Sequence, residues 1–410
     1  MFAFILKLKS SMKSSIANRA LSNKLNDNIF TIINVACFLL TLLKNKSIGT
    51  YTSLIILFIL YKNKDVFYSG KDQLFKFFIC INLITGLSYL YNGVNFIIFF
   101  QAISYSIIPS LLYLLGAKQY RLGVLQESLA NNILYPSVIL MGIGLFFYLI
   151  FPDFYFSNIG QDINTYKWGL ADYRFGSYIS SSNLGSLCVS CIPLYFVSIK
   201  TRGGLFNSVI LIIILTSLAL CMQRSSWAVS ILFFCIIIFR TINFSVIIPY
   251  IVMLLVLLFV GGFFIRNLFT EEQIKFMITR FSNLDLEQMS SERVKQWMHA
   301  LNIFYNNPWG FGLGTLGHKA SEAGYSTCSD GNYFKILGEI GIVGFALFIG
   351  MILKALKKYW KGCSILALVI LGFSLQAIGS NVFELYFSSY VFWYILGYLH
   401  AYKPIRTVSV

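Results

Sequence analysis

Residues 333–353 read YFKILGEIGIVGFALFIGMIL, an apolar run long enough to cross a bilayer with one carboxylate, Glu339, set inside it. A carboxylate at that depth should face the interior of a helix bundle and be paired or protonated there. The run therefore predicts a membrane span that is also part of a site. The chain around it supports the membrane reading, since 57% of its 410 residues are hydrophobic and 12% charged, and the mean hydropathy is +0.72. Such a composition excludes an ordinary soluble domain.

Working outward, similar apolar runs fall at 28–43, 48–61, 74–91, 94–116, 133–151, 177–199, 205–222, 225–240, 244–265, 363–380 and 388–401. The fold expected is an all-α polytopic membrane protein of about twelve transmembrane helices. Residues 1–27 form a basic tail with Lys7, Lys9, Lys13, Arg19 and Lys24, and residues 28–410 form a single transmembrane domain. With the tail inside the cell, the inner segments hold most of the Lys and Arg and few acids, so the whole net charge of +16 lies on that side. This is the positive-inside bias, and it places both termini in the cytoplasm. Basic residues scattered through short loops are not a nucleic-acid surface, so no nucleic-acid partner is expected.

Two outward segments are long, 152–176 and the large loop 266–332 between the ninth and tenth spans. Long loops on a helical scaffold concentrate function. The second holds an amphipathic helix from about Ser291 to Tyr305, with Val294, Trp297, Met298, Leu301 and Tyr305 at helical spacing and Ser291 as its cap.

The candidate site residues cluster near these segments. Arg174 stands in YRFGSYISSSNLG, Arg224 in CMQRSSW, and Arg280 and Arg293 in the large loop. Guanidinium groups stay charged and pair bidentately with phosphate, so a shared anion site is one reading. Snorkelling to headgroups, or structural ion pairing, is the other. Asp330, just before the tenth span, reads as a helix cap or as a general base, with His318 as a second candidate base. Glu339 reads as supporting an arginine or orienting a loop, and less as a direct participant.

NNPWGFGLG, residues 306–314, is either a loop break or a segment that lets a ligand approach the backbone, at Gly312 for example. Trp309 and Tyr333, with Trp168 and Tyr325, are candidate sugar-stacking rings; core or belt packing is their ordinary alternative. The eight cysteines sit mostly in apolar runs and suggest neither a disulfide framework nor a metal site. No metal or cofactor is expected.

YRFGSYISSSNLG, QRSSW, SERVKQWMHALNIFYNNPWGFGLG and DGNYFKILGEIGIVG, in that order over about residues 170–350, resemble the O-antigen polymerases (Wzy type) and O-antigen ligases. The resemblance implies an inner-membrane, metal-independent, inverting glycosyltransferase of the periplasmic face in lipopolysaccharide biosynthesis. It would move a glycan from undecaprenyl pyrophosphate to an acceptor hydroxyl. A polymerase uses the sugar of another lipid-linked repeat unit, whereas a ligase uses lipid A core. The resemblance also implies membrane-lipid contacts and a chain-length regulator as partner.

By the same resemblance, Arg224 and Arg293 hold pyrophosphate, Arg174 is a further basic position, and Glu339 is the acid of the following helix. Where ligases usually carry His-Asn, this chain has Asp330-Gly331, which favours a polymerase. A lipid-linked oligosaccharide flippase is the alternative from another class. It would carry charges through many spans, whereas here Glu339 is nearly the sole acid read inside one.

Overall fold

The computed structural model describes residues 28–43, 48–69, 72–91, 96–159, 166–167, 170–171, 173–198, 204–241, 271–282, 286–317, 320, 327–328, 330–360, 365–384 and 386–402. The basic tail and the ninth apolar run, 244–265, lie outside them.

Every other apolar run falls on a described helix. In chain order these are α1 (Ile29–Leu42), α2 (Ile48–Lys62) and, after the short helix α3 (Asp65–Ser69), α4 (Gln73–Tyr91). Next come α5 (Ile98–Arg121), with a π-helical turn at Ile103–Ile107, and α6 (Gln126–Ile150). Then follow α7 (Ser181–Ser198), α8 (Gly204–Leu220), α9 (Arg224–Thr241), α10 (Glu271–Ser282), α11 (Leu286–Asn306), α12 (Asn332–Trp360), α13 (Ala367–Gln376) and α14 (Ser388–Ala401).

Among the described residues, α5, α6 and the Asn332–Lys357 part of α12 are long and apolar enough to cross a membrane. At 1.5 Å per residue, 25 residues cover roughly 38 Å, more than the hydrocarbon thickness. The chain is an integral membrane protein with further apolar helices that are shorter, among them α1, α2, α8 and α13.

The core is built around α7, α13 and α14, whose side chains are buried almost throughout. α14 packs extensively along the second half of α5. A Cβ at Gly116 would run into the Tyr394 carbonyl, and one at Gly397 into the Tyr113 carbonyl. Small residues at a crossing let backbones approach where water supplies no driving force between helices. Polar residues inside the bundle bond across it, as when Asn34 Nδ2 donates to the Pro136 carbonyl at 2.7 Å and Thr41 to that of Tyr178 at 3.1 Å.

Four features differ from the sequence reading. α11 begins at Leu286, so Ser291 lies inside the helix rather than at its cap. A second amphipathic helix, α10, precedes it, with Phe276 buried against Tyr173. The segment 152–176, read as an outward loop, is not all loop: residues 152–159 are helical, and β1 (Tyr166–Lys167) pairs antiparallel with β2 (Leu170–Ala171).

The fourth difference positions the site. The run 363–380 ends as a helix at Gln376, and residues 377–384 and 386–387 form turns with Val382, Phe383 and Phe387 buried. Non-helical backbone inside a bundle requires protein partners for its polar groups. They are present: the Ala377 carbonyl accepts Asn332 N–H at 2.9 Å, and Phe383 N–H donates to Asn332 Oδ1 at 3.1 Å.

Candidate functional site

The site is assembled where α12 begins. Gly341, inside that helix, has φ 69° and ψ −176°, so the helix breaks two residues past Glu339. A break frees backbone groups that need other partners. The loop after α11 supplies them. Phe311 N–H donates to the Gly338 carbonyl at 3.0 Å, Gly312 N–H to that of Glu339 at 3.1 Å, and Ile342 N–H to that of Pro308 at 3.0 Å. A Cβ on Gly341 would strike the Pro308–Gly310 backbone. The Pro-Gly segment thus completes a broken helix, and its Phe311 and Gly312 N–H groups are committed to that task. Trp309 projects from it, 78% exposed.

Beneath the loop lies a buried charged trio. Lys335 Nζ meets Glu339 Oε2 at 2.9 Å, one helical turn along α12, and also pairs with Glu384 from the turn before α14. Glu339 Oε1 accepts Leu316 N–H at 2.9 Å. With Lys335 and Glu339 only 3% and 1% exposed, this cluster is expensive to desolvate, and the single ammonium of Lys335 bridges the two carboxylates. Glu339 is therefore bonded to a lysine and to the loop, not to an arginine. Lys335 and Glu384 were missed in the sequence. The Lys335-to-Glu339 spacing of four residues on a helix was a readable signal; the approach of Glu384 was not.

Above the trio, α11 clasps the turn that leads into α12. Arg293 Nε meets Asp330 Oδ2 at 2.9 Å, with the two side chains 42% and 34% exposed. Trp297 Nε1–H donates to the Asp330 carbonyl at 2.7 Å, and Asp330 N–H donates to Gln296 Oε1 at 3.2 Å. The Trp297 ring stacks on Phe334 at 5.0 Å. Positions 293, 296, 297 and 300 share one face of α11, which is why a single helix grips the turn at several points. Helix α12 starts at Asn332, so Gly331 and not Asp330 directly precedes it, and the Asp330 carboxylate is directed to Arg293. Cys328 backs the turn. Burial pushes its thiol up to about 12, so it stays protonated and donates to the Asp330 carbonyl at 3.3 Å.

Arg224 is the first residue of α9, and Arg174 lies in the irregular segment before α7. The two segments adjoin, because Phe175 N–H donates to the Leu220 carbonyl at 3.0 Å, just before the turn that carries Arg224. That turn reaches toward α12 through the end of α13. Gln376 Nε2 donates to Ser226 Oγ at 2.8 Å, and the next carbonyl, Ala377, accepts Asn332 N–H. Arg174 and Arg224 on one side, and Arg293 and Asp330 on the other, thus flank the end of α13.

The remaining candidates are less involved. Arg280 lies on α10, its side chain outside the described residues, as is His318 in full. Tyr333 is held as a packing residue. Its hydroxyl donates to the Ser374 carbonyl at 2.8 Å, and its ring meets Phe345 and Phe383 edge-on.

The match to known families covers this region. Residues 209–349 match the Wzy_C family, O-antigen ligase. The matched stretch holds Arg224, Arg280, Arg293, Trp309, Gly312, His318, Asp330, Tyr333 and Glu339, while Arg174 and Glu384 lie outside it. No curated protein matches the chain. The resemblance read from the motifs is thus to the same Wzy_C family, whose members are glycan-transferring enzymes of polysaccharide biosynthesis acting on lipid-linked glycans.

Proposed function

We propose that the protein is a polysaccharide (O-antigen) polymerase, transferring a glycan from undecaprenyl pyrophosphate to a sugar hydroxyl of another lipid-linked repeat unit at the periplasmic face of the inner membrane. The observation that carries this reading is the Arg293–Asp330 pair at the mouth of α12, with Arg224 and Arg174 across the end of α13.

In this mechanism the acceptor oxygen attacks the anomeric carbon as the bond to the diphosphate oxygen breaks. The electron pair leaves with the diphosphate, and the acceptor proton passes to Asp330. Direct displacement inverts the anomeric centre. Pyrophosphate is already a competent leaving group, so positive charge placed on it matters more than a proton donor. Arg174, Arg224 and Arg293 supply that charge, with Arg280 as a further candidate.

A hydroxyl is a weak nucleophile and gains from a base within hydrogen-bond reach. Asp330 is that base and His318 its alternative. The Nε contact to Asp330 engages one of the five N–H donors of Arg293, so the same guanidinium can address an anion. It would set the distance between base and leaving group. Glu339, held by Lys335 and Leu316, acts here as a positioning residue for the loop.

A ligase that transfers to lipid A core is the second reading, favoured by the description of the matching family as O-antigen ligase. The purified protein supplied with undecaprenyl-pyrophosphate oligosaccharide alone separates the two. A ladder of longer products supports the polymerase, and a strict need for lipid A core supports the ligase.

A further inference from the structure

At the far end of α12 the structure holds a cavity of about 940 Å³. Lys354, in its floor, is separated from Asn332 by roughly 30 Å of helix at 1.5 Å per residue, so the cavity opens at the membrane face opposite the Arg293–Asp330 site. Its wall is apolar, with Ile79 from α4 and Leu111 and Leu114 from α5. Its floor is a closed polar cluster. Asp72 accepts from Tyr113 at 2.7 Å and Lys354 at 2.5 Å and lies 3.3 Å from His400 Nδ1. The one carboxylate in the lining is thereby neutralised.

The two other charged lining residues are both basic, Lys76 and Arg121. Neither has a carboxylate partner among the described residues. Asp65, another acid read on this face, is held by Lys118 at 3.0 Å. A cavity with an apolar wall, a neutralised floor and two unmatched cations at its rim complements an amphiphile with a negative head. The chain's own flanking segments, 1–27 and 403–410, are themselves basic and do not complement it.

We infer that this cavity binds an anionic phospholipid, its phosphate between Lys76 and Arg121 and its acyl chains along Ile79, Leu111 and Leu114. The inference rests on the membrane reading and not on glycan transfer, so failure of either leaves the other standing. The site braces α4, α5, α12 and α14 from the side away from the chemistry.

The test is native mass spectrometry of the detergent-solubilised protein titrated with phosphatidylglycerol or phosphatidylcholine. The wild type should retain phosphatidylglycerol in preference to phosphatidylcholine. A basic residue near an anionic headgroup contributes enough that Lys76→Gln and Arg121→Gln should each weaken phosphatidylglycerol binding about fivefold, and together about thirtyfold. Lys62→Gln, on the same face but outside the cavity, should leave binding unchanged. Equal retention of the two lipids by the wild type, an unchanged affinity in the double variant, or displacement by inorganic phosphate would each overturn the proposal. The wild-type comparison is decisive even if a variant does not fold.

Discussion

Arg293 and Asp330, on different elements, meet through a single contact of 2.9 Å from Nε to Oδ2, and the contact stands at the mouth of the helix that carries the buried trio. If the guanidinium addresses both the base and the leaving group, Arg293→Ala should lower chain elongation by about a hundredfold or more with the protein still inserted. Arg293→Lys keeps the charge but not the fork, and should recover only part of the loss. Product ladders from membranes with matched protein levels check both.

Asp330→Asn keeps the size of the side chain and removes its basicity. As general base, its loss should lower kcat by about 10²–10⁴-fold with a smaller change in KM. Normal turnover in Asp330→Asn together with loss in His318→Ala would transfer the role to His318.

Lys335→Met leaves Glu339 and Glu384 together without a cation in a largely buried site. Removing one partner from a buried ion cluster costs about 3–5 kcal/mol. The Tm in detergent should fall sharply, and Lys335→Met/Glu339→Gln should recover part of it. Additive losses in the double variant would show that the two side chains are not coupled.

Gly341→Ala tests the broken helix. The residue sits at φ 69°, and its Cβ would strike the backbone of Pro308–Gly310. Strain at such a position costs about 1–3 kcal/mol. The loop should lose its register on α12, and a raised proteolysis rate in the 307–317 segment reads this directly.

Acid should loosen the opposite face. Burial works against ionisation of Asp72, but hydrogen bonds from His400, Lys354 and Tyr113 outweigh it and hold the carboxyl well below the usual carboxylate range. A group with a depressed folded value contributes stability above its unfolded value, about 3.9, that is lost as pH falls below it toward the folded value. Wild type should therefore lose Tm more steeply than Asp72→Asn as pH drops from about 5 toward 3. Parallel curves would contradict this.

Much of the scaffold was legible because a membrane leaves the sequence few options. Apolar runs such as 133–151 and 333–353 became helices, since every backbone group in hydrocarbon must be satisfied internally. The break at Gly341 was hidden for the same reason: an apolar run looks continuous whether or not a loop from elsewhere completes it. NNPWGFGLG read as a break or a ligand loop, and its partner, the Gly338–Ile342 backbone, could not be named without the fold. Arg293 and Asp330 were each visible as candidates, but their pairing depends on how α11 lies over α12. Glu384 falls in the short stretch between the apolar runs 363–380 and 388–401 and carries no motif, whereas the backbone there folds into the bundle and brings its carboxylate to Lys335.

The central claim is glycan transfer from a lipid diphosphate to a second lipid-linked unit, and its most direct measurement uses purified protein, undecaprenyl-pyrophosphate oligosaccharide and no lipid A core. The account predicts a ladder of lengthened products with release of undecaprenyl pyrophosphate, lost in Arg293→Ala. Unextended substrate with wild-type protein, or a ladder that persists in Arg293→Ala, would contradict it.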